Sequence, residues 1–429
     1  MSDAAWIDAA LSAARPQAVG ALLRHFRDLD TAEEAFQEAC LRALKAWPRN
    51  GPPRDPAAWL IFVGRNVAID HIRRRGRQEP LPEDDELVSD LDDAETAIAE
   101  RLDDADYRDD ILRLLFICCH PDLPAAHQVA LALRIVSGLS VAQIARAFLV
   151  GESAMEQRIT RAKNRIAKAG VAFETPGAPE RAERLAAVAA MIYLVFNEGY
   201  SASGEAAARR RPLCDEAIRL ARLLLRLFRG EPEVMGLTAL LLLQHARTPA
   251  RLDANGEIVL LEDQDRGLWD GRLIAEGLAL IDKAMRHARP GPYQVQAAIA
   301  GLHARAARAE HTDWAQIDRL YAMLERMQPS PVVTLNRAVA VAKTRGPAAA
   351  LDMIEPLAPR LSGYFHFFGV RGALLLQLGR GEEARVAFDQ AIALANTAAE
   401  AAHIRLHLDR LQKDGVATPP ATRGRSTGI

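Results

Sequence analysis

T-A-E-E-A-F-Q-E-A-C-L-R-A-L-K-A-W, Thr31 to Trp47, is followed after a Pro/Gly loop by W-L-I-F-V-G-R-N-V-A-I-D-H-I-R-R, Trp59 to Arg74. In both stretches apolar residues recur at three and four, the spacing of a helix with one buried face. The first helix carries an acidic face and runs into Trp47. The second opens on aromatics and turns strongly basic. Between them Pro48-Arg49-Asn50-Gly51-Pro52-Pro53-Arg54-Asp55 reads as a loop. Acid face, loop, aromatics and arginines in that order suit a protein that grips another protein and an opened DNA strand together.

Outward from this pair the chain stays helical. Ala, Leu and Arg dominate the 429 residues, aromatics are 5%, and strand signals are nearly absent, so the expected fold class is all-α. Helices are predicted at about Gln17 to Trp47 with a break near Asp28, then Ala57 to Arg74, Asp110 to Cys119, Ala125 to Ser137, Val141 to Phe148 and Ala154 to Lys168. One hairpin is expected at R-L-D-A-N-G-E-I-V-L-L, where Asn255-Gly256 can supply a tight turn. The net charge of −2 does not mark a nucleic-acid binder, but the charge is uneven. Arg65 to Arg77 and Arg158 to Lys168 are basic. Glu79 to Asp106, with fifteen acids against two arginines when counted on to Asp110, reads as an extended linker. Four cysteines without a repeated C-x-x-C, no signal-peptide pattern and no long apolar span place the chain in the cytoplasm, away from membranes.

A second DNA-reading constellation lies in L-S-V-A-Q-I-A-R-A-F-L-V-G-E-S-A-M-E-Q-R-I-T-R-A-K-N-R-I. Ser140 and Gln143 form an S-x-x-Q capping box that starts one helix. Val150-Gly151-Glu152 makes a short turn into the next. There Met155, Ile159, Ala162 and Ile166 share one face. Gln157, Arg158, Thr160, Arg161, Lys163 and Asn164 are left for groove or phosphates, as a recognition helix requires. A basic amphipathic helix with a solvated face is the plainer alternative.

The C-terminal part contains a repeat. Ala338, Ala350, Ile354 and Leu357 are matched 34 residues later by Gly372, Ala384, Phe388 and Ala391. This is the small-and-apolar pattern of a tetratricopeptide helix pair. Such repeats build a concave surface for a peptide or a neighbouring domain. Cys118-Cys119-His120 with His127 could suggest metal, but adjacent helical residues point about 100° apart and chelate one ion poorly. F-N-E-G-Y-S, Phe196 to Ser201, reads equally as a functional cluster or as a helix end capped at Gly199. No nucleophile–base set, phosphate loop or dinucleotide fingerprint occurs, so no enzyme activity, cofactor or metal is expected.

The Thr31–Arg74 stretch closely resembles region 2 of extracytoplasmic-function sigma factors of bacterial RNA polymerase. The R-I-T-R-A-K run resembles their region 4, although Ala154-Met155-Glu156 departs from the commoner start of that helix. I-C-C-H-P-D-L, A-R-A-F-L-V, F-N-E-G-Y-S and L-E-D-Q-D-R-G-L-W-D resemble the tetratricopeptide-bearing subgroup. The resemblance implies five segments: region 2 over 10–77, an acidic linker over 78–106, region 4 over 107–170, a helical domain over 180–328 and tetratricopeptide-like repeats over 329–411. It implies that Asp30, Glu34, Gln37, Glu38 and Arg42 contact the clamp of the largest subunit of core RNA polymerase. Trp59, Arg65, Asn66, Asp70, Arg73 and Arg74 would then face the −10 element of promoter DNA, and the recognition-helix residues the −35 element. Core packing is the other reading of Trp59. The linker would thread the polymerase channel, and the repeats would dock in cis or take a peptide or protein ligand. Two rivals remain: a helix-turn-helix regulator with a sensor domain that delivers no polymerase, and a repeat-based adaptor.

Overall fold

The alternation of helix periodicity with Pro, Gly and Asp breaks produces an all-α chain in the computed structural model, which describes residues 3–51, 53–75, 104–148, 150–169, 178–200, 205–253 and 258–395, with 401, 404 and 405. The acidic linker and the C-terminal tail lie almost wholly outside these residues. Among the described residues no helix is long and apolar enough to cross a membrane. Two compact units divide the chain: Met1–Gly199 with Asp215–Leu220, and Tyr200–Cys214 with Ala221–Ile429.

In the first unit α1 (Asp3–Phe26) and α2 (Leu29–Asn50) are separated where Arg27 adopts φ 54° and Asp28 caps the new helix. The Asp28 carboxylate accepts from the Thr31 amide at 2.7 Å, satisfying a donor that a helix start leaves unpaired. Gly51, at φ 80°, closes α2 by donating to the Trp47 carbonyl. Asp55 then caps α3 (Pro56–Arg75) through the amides of Ala57 and Ala58. These three helices pack on one another around Leu22, Leu23, Phe36, Trp47 and Leu60. Gly64 lets α3 approach α2 closely, since a Cβ there would sit 3.0 Å from the Ala35 carbonyl oxygen.

The same unit continues with α4 (Asp104–Cys118), α5 (Ala125–Ile135), α6 (Val141–Ala147) and α7 (Glu152–Ala169). The predicted capping box forms: the Gln143 amide donates to Ser140 Oγ at 3.1 Å, and the Ser140 amide donates to Gln143 Oε1 at 2.8 Å. Met155, Ile159, Ala162 and Ile166 of α7 are all buried, as their spacing predicts. Cys118 and Cys119 are buried too, and burial pushes their thiols up, Cys119 to about 12. They are packing residues. The unit also holds α8 (Ala178–Tyr200) up to Gly199. Of the two readings of Phe196 to Ser201, the capped helix end is set aside: Gly199 lies buried inside the last turn of α8, not in the left-handed conformation of a capping glycine.

The next helix, α9 (Glu205–Leu227), belongs to the second unit except for Asp215–Leu220, and leads to α10 (Pro232–His245), which is apolar on all sides and packs against α11 (Gly271–Met285) and α12 (Pro292–Arg305). The expected hairpin is reduced to an antiparallel bridge between Leu252 and Ile258; Asn255-Gly256 lies outside the described residues. Five helices follow: α13 (Trp314–Met327), α14 (Pro331–Arg345), α15 (Pro347–Ile354), α16 (Phe365–Gln377) and α17 (Gly381–Leu394). Each packs on its successor; α14 to α17 share a core of Leu335, Ala350, Ile354, Phe367, Ala384 and Phe388, while Ile317 and Leu324 of α13 pack with Val295, Ile299 and Ala340. The repeated small residues have a physical cause. A Cβ at Gly372 would lie 2.5 Å from the Phe388 ring, so α16 and α17 meet at this distance only because Gly372 has none.

Candidate nucleic-acid interface

The outward face of α7 displays Gln157, Thr160, Arg161 and Asn164 exposed and Arg158 half-buried. Arg165 and Lys168 are exposed too, so the basic face is broader than the six predicted residues. His127 of α5 registers this field. Burial first, then the charges of Arg158, Arg161 and Arg165, lower its pKa. A short capped helix, a tight turn and a longer helix with a basic outer face can enter a major groove and hold phosphates.

Lys163 differs from its neighbours. Its ammonium donates to Asp30 at 2.6 Å and to Glu33 at 2.9 Å, both on α2. Burial opposes its charge, but the bonds to Asp30 and Glu33 outweigh burial and raise its pKa. Glu33 is only 4% exposed and sits at the centre of a cluster that the sequence did not reveal. Arg134 reaches it at 3.0 Å and Arg15 at 3.4 Å. Arg15 also donates to the carbonyls of Ile135 and Arg134, and its guanidinium lies 4.9 Å from the centre of the Phe36 ring. Gly138, at φ 74°, admits that side chain, because a Cβ would fall 2.8 Å from Arg15 Cδ. One buried carboxylate thus ties α1, α2, α5 and α7 together.

On α2, Asp30, Glu34 and Gln37 are exposed and Glu38 and Arg42 half-buried, with Arg42 paired to Glu38 at 3.7 Å. The pattern missed two members of this face. Leu41 is 56% exposed and Leu44 51%, which leaves an acid-and-leucine stripe of Glu34, Gln37, Leu41 and Leu44 open to solvent. Exposed leucines at helical spacing beside carboxylates make a helix-docking surface. Single exposed leucines are common, but a stripe is not.

Trp59 is buried, edge-on to Trp47 at 5.4 Å, and Trp47 stacks on Trp6 at 6.0 Å. The structure therefore places Trp59 in the core beneath α3, not on an open face as a stacking platform. Arg65 is exposed and Asn66 half-buried. The side chains of Asp70, Arg73 and Arg74 lie outside the described residues, as does Pro52 of the preceding loop. Among the described residues no group of His, Cys, Asp and Glu could hold a metal ion.

Comparison with known proteins matches three stretches. Residues 11–78 match the model of sigma-70 region 2, 113–166 that of sigma-70 region 4, and 184–285 that of a family of unknown function, DUF6596. The chain is 71% identical over 422 residues to the uncharacterized protein R00370 of Rhizobium meliloti (strain 1021), covering 98% of each. It is 29% identical over 177 residues to the probable ECF RNA polymerase sigma factor SigI of Mycobacterium tuberculosis (strain ATCC 25618 / H37Rv), 41% of this chain and 59% of that one. It is 27% identical over 161 residues to the RNA polymerase sigma-H factor of Pseudomonas aeruginosa, 35% of this chain and 79% of that one.

Proposed function

We propose that this chain, which belongs to the sigma-70 family, binds core RNA polymerase and brings it to promoter DNA. The observation that carries this reading is the pairing, within one unit, of the open stripe on α2 with the basic outer face of α7. Glu34, Gln37, Glu38, Leu41 and Leu44 would dock on the polymerase clamp. Arg158, Arg161 and their neighbours would read the −35 element, while Arg65, Asn66 and the basic end of α3 would face the −10 element. Trp59 and Trp47 would hold α3 from beneath. A regulator that delivers no polymerase has no use for two exposed leucines among carboxylates, so the stripe favours the polymerase-binding reading.

Lys163 and Asp30 bear on both partners. The Lys163 ammonium spends two of its three N–H donors on Asp30 and Glu33, so a promoter phosphate would compete with these carboxylates for its charge. The C-terminal unit, with tetratricopeptide-like repeats at its end, would govern this activity. Truncation after Gly170 would then change promoter output in either direction.

Charge reversal at Glu34 and Glu38 tests the docking face. Exposed helix charges cost folding little, whereas unfavourable charges at an interface cost several kcal/mol. The doubly reversed protein, and separately Leu41→Asp with Leu44→Asp, should stay folded and bind core polymerase at least tenfold more weakly in a titration. Undiminished affinity in both would remove the assignment of α2.

A further inference from the structure

Two segments of the C-terminal unit, H-A-R-T-P-A-R after α10 and D-Q-D-R-G-L-W before α11, bring three arginines together. The Cζ atoms of Arg247 and Arg266 lie 5.6 Å and 4.8 Å from the centre of the Trp269 ring. Arg251 sits 3.7 Å over the ring of Tyr200. Neutral groups hold each in place. Arg247 Nε donates to Gln264 Oε1 at 3.2 Å, Arg251 Nη1 to the Tyr200 carbonyl, and Arg266 Nη1 to the carbonyls of Ala306 and His303.

These bonds orient the guanidinium groups without neutralising them. Among the described residues none of the three is ion-paired to a carboxylate, whereas Arg222, Arg305 and Arg337 of the same unit pair with Glu276, Asp282 and Asp318. Burial lowers the pKa of Arg266 by more than Glu310, outside pairing distance, raises it. Burial lowers the pKa of Arg247 by more than the nearby Tyr200 hydroxyl raises it, and Arg251 and Arg266 lower it further. Burial, then the charges of Arg247 and Arg266, pushes His303 down to about 4. Trp269 adds an independent sign. It is 7% exposed, and its buried indole N–H has no acceptor among the described residues. Buried donors are nearly always satisfied, so an unmet one beside arginines that no described carboxylate pairs points to a ligand as its acceptor.

The acceptor's chemistry follows from the donors. Each guanidinium has spent one nitrogen on the described residues and keeps others in half-buried positions open to a ligand. Planar forks of N–H donors match oxyanions bidentately. A carboxylate returns one negative charge to three cations, whereas a phosphate monoester returns about 1.5 to 2 near neutral pH. We propose that Arg247, Arg251 and Arg266, with the Trp269 N–H, form a binding site for the phosphate group of a small phosphorylated molecule. The site falls within the matched segment of unknown function, 184–285, and is independent of the sigma-70 regions. If the arginines were only braces for loop carbonyls, no anion would bind them selectively.

Calorimetric titration of the full-length protein decides it, at constant ionic strength set with chloride. Inorganic phosphate, glycerol 2-phosphate and acetate are the three probes. The site requires saturable binding of phosphate or of the monoester. Tighter binding of the monoester identifies an organic phosphate as the source, and tighter binding of the free ion identifies phosphate itself. Arg247→Gln and Arg251→Gln should each weaken binding about tenfold or more, the loss expected for one charge-assisted hydrogen bond. Arg222→Gln, whose arginine is already paired with Glu276, should leave binding unchanged. Should Arg247→Gln fail to fold, Arg251→Gln decides alone. The proposal is overturned by no saturable binding of either phosphate probe, by acetate binding as tightly as phosphate, or by equal weakening in Arg222→Gln.

Discussion

Replacing Glu33 by Gln removes one charge and almost no volume, and the structure dictates a large effect. Three cations stand at 2.9 to 3.4 Å from that carboxylate, which is almost wholly excluded from water. Removing one partner of a buried ion pair costs about 3–5 kcal/mol, because the remaining charges lose their compensation. The Gln amide oxygen still accepts one of the three donors and recovers about 1 kcal/mol. Lys163 keeps Asp30, and Arg15 keeps two backbone carbonyls. A net loss of about 2–4 kcal/mol follows for Glu33→Gln. Lys163→Met should cost only about 1 kcal/mol, since Arg15 and Arg134 still neutralise Glu33 and the Asp30 carboxylate is largely solvated. Urea unfolding followed by tryptophan fluorescence reads this directly. Trp6, Trp47 and Trp59, three of the five tryptophans, lie together in the affected unit. A Glu33→Gln protein within 0.5 kcal/mol (about the scatter of an ordinary surface substitution) of the parent would refute this reasoning. So would a Lys163→Met protein as unstable as Glu33→Gln.

Two further predictions concern the C-terminal unit. Gly372→Ala should destabilise it by about 1–3 kcal/mol, because the new methyl meets the Phe388 ring, and adding Phe388→Leu should recover part of the loss in the same urea assay. His303 is held down to about 4 from 6.5 by burial and then by Arg247 and Arg266, so the unfolded chain takes up a proton below pH 6.5 that the folded one refuses. Its contribution is complete above pH 6.5 and falls away as the pH drops toward 4. The loss amounts to about 2 kcal/mol after allowing for a half-buried ring, and His303→Gln should flatten it in denaturation curves across that window.

Much of this fold was legible because helices repeat every 3.6 residues and stop for local reasons. Asp28, and Ser140 with Gln143, act on neighbours within four positions, so reading them required no tertiary knowledge. The buried face of α7 was legible for the same reason. What escaped is long-range. Glu33 and Lys163 are 130 positions apart, and the segments on which they lie read as an acidic face and a basic face, each destined for solvent. Periodicity marks Leu41 and Leu44 as apolar without telling a buried leucine from an exposed one. Trp59 reads equally as core or platform until Trp47 and Trp6 are seen against it. The three arginines around Trp269 and Tyr200 come from loops without periodicity, so nothing in their spacing announced a cluster.

Run-off transcription with purified core polymerase, combined with permanganate footprinting of the promoter, decides whether the chain delivers polymerase to promoters. Promoter-specific transcripts and an open −10 region are expected only when the protein is added. Arg161→Ala should weaken binding to the −35 box and flatten its salt dependence by about 0.9 for each phosphate no longer neutralised. Arg73→Ala with Arg74→Ala should bind the −35 box normally and fail to open the strands. Promoter binding by the intact protein without any polymerase-dependent transcript, across promoters that it demonstrably occupies, would contradict the account and leave a DNA-binding regulator in its place.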